Sequence, residues 1–202
     1  EECVWLNNLV DCMVTRAPTD HSLTKEDPLL IHAEPYALWA IQQPPVRRAG
    51  ESGIIHLGSR FLDHPIKLFD HPAIQLVDEL SPYYLRKVRM LNGVHTAMVG
   101  KYLKSEFKTV QEILADKEAT RWVRGLLYEE IVPTIAYRIG GVAEFADQTF
   151  DRLRNPFLSH LLSDIAANHE DKVRVRLEPT FEEYQRLFGK IPPRLAEAMG
   201  KK

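Results

Sequence analysis

The N-terminal part of the chain mixes two hydrophobic patterns. Residues 3–14 place apolar side chains at helical spacing and predict a first helix. Residues 29–43 predict extended structure, because Pro35 lies inside an otherwise apolar run. The segment that follows is rich in Pro, Gly and His and predicts a small irregular sheet, with short β-like pieces at 53–57 and 73–77.

From residue 81 onward the apolar residues recur every three or four positions, which predicts a series of helices. Capping-box patterns, in which Ser or Thr precedes Glu by three residues, occur at Thr109–Glu112 and Thr180–Glu183. Pro133 should bend one helix, and Gly140-Gly141 should end it. The predicted elements are, in order, helices at 82–103, from 109, at 118–138, 142–153 and 155–167, an extended segment at 171–177, and helices from 180 and at 192–199.

These patterns predict a mainly α fold with a small β part, of the α+β class. We expect a single domain over residues 1–202, with an irregular β-containing insert at about 29–80. The chain begins at Glu1 and enters an amphipathic stretch almost at once. This start indicates a cut between two domains.

The composition excludes several classes of protein. Apolar residues make up 45% of the chain, charged residues 27%, and the net charge is −2, with no basic stripe of the kind that binds nucleic acid. Charges interrupt every apolar run before the length of about 18 residues that a membrane helix needs. With only Cys3 and Cys12, a reducing cytoplasm is expected. His64 and His71 have no credible third ligand nearby in the sequence, so no metal site is expected.

The segment most suggestive of chemistry is Lys87-Val-Arg-Met-Leu-Asn92-Gly-Val-His95. At about 100° per residue, Lys87, Asn92 and His95 fall at roughly 0°, 140° and 80° around a helix and share one side. A secondary alcohol that loses hydride needs a base for its hydroxyl proton and a donor for the developing oxyanion. A desolvated lysine and an asparagine amide suit these two tasks. On an arbitrary helix the same residue types more often form a solvated face, so spacing alone leaves both interpretations open.

The pattern Lys-x4-Asn-x2-His resembles the catalytic motif of the long-chain mannitol dehydrogenase family. The longer string from Lys87 to Met98 is most similar to the branch of that family that reduces tagaturonate. Further family blocks occur in the same order along the chain. They are Asn8-Leu-Val-Asp11, Ala33-Glu-Pro-Tyr-Ala-Leu-Trp-Ala-Ile-Gln42, Glu129-Glu-Ile-Val-Pro-Thr134, Arg154-Asn-Pro-Phe-Leu-Ser-His160, and Ile165-Ala-Ala-Asn168 followed by Lys172-Val-Arg174.

The resemblance implies a fold and an activity. The fold would be the multi-helical C-terminal domain of the 6-phosphogluconate-dehydrogenase-like type. The activity would be that of an NAD-dependent, zinc-independent secondary-alcohol dehydrogenase. Its substrates would be a keto sugar acid and its alditol acid, of the tagaturonate and altronate type, or a related polyol and ketose.

The resemblance also implies roles for single residues. Lys87 would be the general base, Asn92 would form part of the oxyanion hole, and His95 would contact the reacting hydroxyl. Lys172 and Asp11 would lie on the substrate side of the site, although Asp11 would equally serve to brace the first helix. Three side chains are candidates to hold a sugar-acid carboxylate: His160, Lys172 and Arg174. A solvated edge strand is the alternative for Arg174, and Arg176 would lie on the same strand.

The chain departs from the family pattern in places. Cys12 follows the Val-Asp pair where the family usually has Arg, and Asp164 stands where polyol-active members often have Arg, which argues against a plain polyol substrate. No arrangement of glycines gives G-x-G-x-x-G, so the Rossmann domain that binds NAD is absent from this chain. We therefore expect an N-terminal Rossmann domain as a partner, with cofactor-binding residues outside this sequence.

A second interpretation is a degenerate helical domain kept for oligomerisation or ligand binding, without turnover. The intact set of Lys87, Asn92 and His95 favours the enzyme, because a non-catalytic domain has no chemical need for that combination.

Overall fold

The computed structural model describes residues 5–43 and 71–201. The described residues group into two compact units. The first takes the described parts of 1–12 and 35–83, and the second those of 13–34 and 84–202. The assignment of 1–202 to one dehydrogenase domain stays a prediction.

The first unit contains a three-stranded sheet in the order β1-β4-β5, with the long strand β4 in the middle. β1 (Asn8–Asp11) is antiparallel to β4 (Leu38–Gln42), and β5 (Ile74–Val77) is parallel to it. Leu38, Ala40 and Ile41 of β4 are buried, as expected for a strand at the centre of a sheet. The extended structure predicted at 29–43 and 73–77 is therefore confirmed, and the β-like piece predicted at 53–57 lies outside the described residues.

The prediction of a helix over residues 3–14 is wrong for the described part of that stretch. The stretch instead forms β1 and, in the second unit, β2 (Val14–Arg16). A short amphipathic run fits both a helical and a strand period, and pairing with a neighbouring strand then decides the outcome. Here β1 pairs with β4 over all four of its residues.

The second unit begins with a two-stranded antiparallel sheet of β2 and β3 (Ile31–Ala33). Glu34, the residue after β3, is buried and accepts the backbone N–H of Met13 at 2.5 Å. The Arg152 guanidinium donates to both oxygens of the same carboxylate, at 3.0 and 2.7 Å. This ion pair is almost fully buried and holds the two-stranded sheet to the helices of its unit.

The rest of the second unit is helical, and one helix lies at its centre. This helix, α2 (Gly93–Tyr102), has buried residues around its whole circumference, from Gly93 to Val99 and again at Tyr102, as a helix inside a core must. The described helices, including α1 at the junction of the two units, are α1 (Ser81–Leu85), α2 (Gly93–Tyr102), α3 (Val110–Ala115), α4 (Lys117–Gly125), α5 (Val132–Ile135), α6 (Val142–Leu153), α7 (Leu162–Ile165), α8 (His169–Arg176), α9 (Glu178–Phe188) and α10 (Pro193–Ala198).

Two π-helical segments interrupt this regular pattern. The first, Arg86–Asn92, joins α1 to α2, and the second, Leu126–Ile131, joins α4 to α5. In the second segment the N–H of Val132 bonds to the carbonyl of Leu127, directly before Pro133, which has no N–H to donate. The long helices predicted around both segments are present, but each contains a π turn that the sequence pattern did not indicate.

Several predicted helix boundaries are confirmed. Thr109 and Glu112 form a complete capping box at the start of α3. Gly141 adopts a left-handed φ of 67° immediately before α6, where Gly140-Gly141 was expected to end the preceding helix.

No helix in the described part of the chain is long and apolar enough to cross a membrane.

Three predictions in the C-terminal quarter are wrong. Residues 155–167 form a turn and only the short α7, because the Asn155 side chain accepts the N–H of Phe157 and closes an Asx turn. Residues 171–177 lie mostly in α8 and do not form an extended segment. Thr180 does not cap a helix, because α9 already begins at Glu178 and buries the threonine.

Candidate active site

The three residues of the Lys-x4-Asn-x2-His pattern lie along one continuous helical stretch. Lys87 lies near the start of the first π segment, Asn92 ends it, and His95 belongs to the first turn of α2. Lys87 and Asn92 are half-buried and His95 is buried, so a solvated face does not describe His95. A wheel of about 100° per residue assumes an α-helix throughout, and the π segment changes the angle between Lys87 and Asn92.

The tautomer of His95 follows from its surroundings. Its Nδ1 lies 2.9 Å from the carbonyl oxygen of Leu91, and because a carbonyl only accepts, Nδ1 carries the proton. Burial, and next the neighbouring His160, lower the pKa of His95 to about 3, so the ring is neutral near neutral pH. Nε2 is then a bare acceptor, and among the described residues it has no hydrogen-bond partner. This nitrogen is suited to accept a hydrogen bond from a hydroxyl group.

A small cavity lies beside this histidine. The rings of His95 and His160 are tilted against each other with centroids 4.8 Å apart, and Gln111 and Arg152 complete the polar part of the cavity wall. About 10 Å³ is open to the centre of a water molecule, which is near the lower limit for one bound water. The Oε1 of Gln111 is a second buried acceptor without a partner among the described residues.

α8 carries the basic residues expected near a carboxylate. Lys172 is half-buried and donates from Nζ to the carbonyl of Ile165 at 2.7 Å. Burial, and next the charge of Arg176, lower the pKa of Lys172. Arg174 lies on the exposed side, where its side chain is 70% accessible and pairs with Asp171 at 2.7 Å. The structure thus directs Lys172 inward and Arg174 toward solvent.

His160 and Asp164 lie close to Lys172. Burial lowers the pKa of the His160 imidazole, while Asp164 raises it and Lys172 lowers it further. Asp164 also pairs with Arg16 at 3.7 Å, across a largely exposed gap. The described structure therefore brings His95, His160 and Lys172 into one neighbourhood of the second unit.

Asp11 is the last residue of β1 and is buried in the structure. Its backbone pairs with Leu38 of β4. It therefore lies on a strand and does not brace a helix, because no helix forms at this position. Its expected role on the substrate side stays a prediction.

Comparison with known families identifies the fold. The model of the mannitol dehydrogenase C-terminal domain matches residues 79–200, which is more than half of the chain. The chain belongs to the mannitol dehydrogenase family. Its matched part begins just before α1 and covers all the described α-helices.

Relatives of this chain within the mannitol dehydrogenase family include altronate oxidoreductases. An altronate oxidoreductase of Bacillus subtilis is 32% identical over 96% of this chain and 38% of its own length. One of Yersinia pestis is 33% identical over 98% of this chain and 40% of its own length. The chain thus spans about two fifths of the curated relatives it matches.

Solved structures of mannitol dehydrogenase relatives share the fold. Pseudomonas fluorescens mannitol 2-dehydrogenase, in a ternary complex with NAD and D-mannitol, superposes with a TM-score of 0.73 at 19% identity, over 96% of this chain and 37% of that one. A substrate-free D-sorbitol dehydrogenase gives a TM-score of 0.67 at 19% identity, over 96% of this chain and 38% of that one. The multi-helical α+β fold expected from the sequence is confirmed.

One family block has a structural function in this mannitol dehydrogenase domain. Glu130 is buried, and its Oε1 accepts the backbone N–H of Arg194 at 3.0 Å and the Arg194 guanidinium at 3.2 Å. Its Oε2 accepts the N–H of Leu195 at 2.9 Å. Burial raises the pKa of Glu130, and these donors oppose that shift. The carboxylate satisfies the N-terminus of α10 from a distant part of the sequence.

The wrong secondary structure gave Arg174 and Arg176 the same standing in the sequence prediction. In a strand, Lys172, Arg174 and Arg176 all share a face, since side chains alternate with a period of two. In a helix, residues four apart share a face, and Lys172 and Arg176 are then neighbours. Arg176 is half-buried and its Nη1 donates to the Thr96 hydroxyl at 3.3 Å. Helical spacing of these two cations is the signal that would have found it.

The sequence lacks the glycine-rich motif of a dinucleotide-binding turn. Its ten glycines include no G-x-G-x-x-G, and the described strands form no Rossmann βαβ unit. Among residues 5–43 and 71–201, no group of three or more His, Cys, Asp or Glu side chains is placed to hold a metal ion.

Proposed function

We propose that this chain is the substrate-binding and proton-transferring domain of an NAD(H)-dependent oxidoreductase that interconverts a keto sugar acid and its alditol acid, of the tagaturonate and altronate type. The observation that carries the proposal is the similarity to altronate oxidoreductases over nearly the whole chain. The arrangement of buried His95 with Lys87 and Asn92 on one helical stretch supports it. A cytoplasmic location belongs to the same proposal.

The proposed chemistry divides between three side chains. Lys87 returns a proton to the substrate oxygen during reduction and removes it during oxidation. The Asn92 amide donates to the same oxygen while negative charge develops on it. Neutral His95 accepts a hydrogen bond from a substrate hydroxyl at Nε2, the atom that its contact with Leu91 leaves without a proton.

NADH, held by a Rossmann domain outside this chain, would supply the hydride. This chain positions the substrate carbon for that transfer, because proximity and orientation provide a large part of the rate. Lys172, His160 and Asp11 are proposed to hold other polar groups of the substrate.

The proposal is tested by following NADH consumption with the native protein that contains this chain. D-Tagaturonate is offered beside D-fructuronate and D-fructose. Turnover of a sugar acid would support the proposal. Turnover of fructose alone would keep the oxidoreductase and reject the sugar-acid substrate, and NADH binding without turnover of any of the three would reject the proposed function.

Replacing Lys87 tests the proton-transfer step. Lys87→Ala should lower kcat by about two to four orders of magnitude, the usual contribution of a general acid–base group. NADH affinity should change little. Lys104→Ala is the matched control, because Lys104 is an exposed lysine just after α2. A Lys87→Ala enzyme that keeps near-wild-type kcat would remove Lys87 as the base.

A further inference from the structure

Two cations of α8 face the core of the helical unit. Lys172 and Arg176 are four residues apart and therefore lie side by side on the helix. Both are half-buried, whereas Arg174, on the opposite side, is exposed and paired with Asp171. The inner face of α8 thus carries two positive charges in one place.

This pair lies next to the helix that carries the proposed active site. Arg176 donates to Thr96, and the Thr96 hydroxyl donates to the carbonyl of Asn92 at 2.8 Å. The backbone also comes close, because a Cβ at Gly93 would lie 3.7 Å from the carbonyl oxygen of Arg176. The Thr96 hydroxyl therefore links Arg176 to the backbone carbonyl of Asn92. Thr96 also directly follows His95 in α2.

The charges of the pair are not balanced within the described structure. No ion pair joins Lys172 or Arg176 to a carboxylate among the described residues. Each forms one hydrogen bond to a neutral oxygen, of Ile165 and Thr96 respectively. Burial lowers the pKa of both groups, and the charge of Arg176 lowers the pKa of Lys172 further. An anion bound between them would offset this cost.

The chemistry of the pair indicates which anion fits. A guanidinium presents several N–H donors in a plane and binds carboxylates with two parallel hydrogen bonds, and an ammonium adds a point charge. Only one N–H of Arg176 is used by Thr96. The remaining donors suit a carboxylate that is attached to the substrate whose reacting oxygen lies near Asn92.

We propose that Arg176, together with Lys172, binds the carboxylate of the sugar-acid substrate and sets the preference of the enzyme for acids over neutral sugars. This proposal rests on the proposed function and names the residue that recognises its substrate class. In this proposal Arg176 binds the carboxylate, in place of Arg174, which the sequence suggested.

The test compares two substrates in the native protein that contains this chain. One is D-tagaturonate and the other is the neutral ketose in which CH₂OH replaces the carboxylate. Arg176→Gln should raise KM for the acid by about tenfold to a hundredfold, the value of one or two charge-assisted hydrogen bonds. Its kcat/KM for the neutral ketose should stay near the wild-type value. Arg176→Lys, which keeps the charge, should restore part of the preference.

Two further variants identify the residue responsible. Arg121→Gln removes an exposed arginine of α4 and should leave both substrates unaffected. Arg174→Gln tests the arginine first suggested by the sequence. An equal fall for acid and neutral substrate in Arg176→Gln, or a loss of acid preference in Arg174→Gln alone, would overturn the proposal.

A binding measurement separates this proposal from the proposed function. Calorimetry measures D-altronate binding to wild type and to Arg176→Gln. If neither sugar is turned over but altronate binds to wild type and at least tenfold more weakly to Arg176→Gln, the carboxylate site stands and the proposed reaction fails. If both proteins bind altronate equally, or neither binds it, the carboxylate site is wrong whatever the reaction.

Discussion

His95 illustrates how one residue acquires its properties from a fold. Its position in the central helix α2, with Nδ1 against the Leu91 carbonyl, holds the imidazole neutral and fixes its tautomer. The sequence predicted His95 as part of the motif but did not predict that its side chain is buried. The other two residues of the motif, Lys87 and Asn92, are only half-buried, so the pattern does not distinguish His95 from them. The neighbour His160 is 65 positions away in sequence, and no local pattern links the two rings.

Neutral His95 gives the protein a pH-dependent stability. The unfolded chain binds a proton at this residue near pH 6.5, whereas the folded chain does so only near 3. Between these values the unfolded state binds more protons, so the free energy of unfolding falls as pH is lowered. The share of this one residue is at most about 1.4 kcal/mol per pH unit. Half-buried His160, whose pKa is also lowered, acts in the same direction.

Urea unfolding between about pH 5 and 7 checks this expectation. His95→Gln should show a shallower dependence of stability on pH than wild type. His71→Gln, which changes an exposed histidine, should keep the wild-type slope. Equal slopes for wild type and His95→Gln would mean that His95 gains its proton in the folded protein.

At the scale of elements, the sequence predicted those helix boundaries that depend on contacts between neighbouring residues. The capping box at Thr109 and the left-handed glycine before α6 act within a few residues, and both were predicted correctly. α8 was mistaken for a strand because its charged and aliphatic residues alternate, and tertiary packing decided its structure. That error also placed Arg174 on the same face as Lys172, whereas in the helix it lies on the opposite side, since a face depends on the period of its element.

The N-terminus of α10 depends on a carboxylate that no local pattern indicates. Both oxygens of Glu130 accept N–H groups, so an amide in its place leaves one donor facing another. Glu130→Gln should lower the free energy of unfolding by about 1–3 kcal/mol, the cost of an unpaired buried polar group. Denaturant unfolding measures the change.

Glu129→Gln is the matched control for this variant. Glu129 is exposed and contacts the same Arg194 through a single surface ion pair at 2.8 Å. Its loss should cost less than about 1 kcal/mol. Equal effects of the two substitutions would show that the buried carboxylate does not support α10.

At the scale of the molecule, contacts distant in sequence hold the helical unit together. Glu34 and Arg152 lie 118 positions apart and form its most deeply buried ion pair among those described. Gly100 allows α2 and α10 to touch, because a Cβ there would lie 2.0 Å from the Ala198 carbonyl oxygen. The sequence predicted the class of the fold from helix content and family resemblance, but these pairings carry no local signal.

Breaking the buried ion pair should destabilise this unit strongly. Glu34→Ala leaves the Arg152 charge buried and should cost about 3–5 kcal/mol of unfolding free energy. Glu26→Ala, an exposed carboxylate in the same segment, should cost little. Thermal and urea unfolding of the two variants provide the comparison, and a small loss for Glu34→Ala would contradict a stabilising role.

The first π segment limits how the Lys-x4-Asn-x2-His motif can be transferred to another protein. Lys87 and Asn92 lie inside a turn that is wound more loosely than an α-helix. Grafting the same residue spacing onto an ideal helical scaffold would therefore point the amine in a different direction from the amide and imidazole. Deleting one residue between Lys87 and Asn92 would rewind the turn and rotate one group by about 100° relative to the others. The motif can therefore be transferred to another protein only together with its π-helical turn.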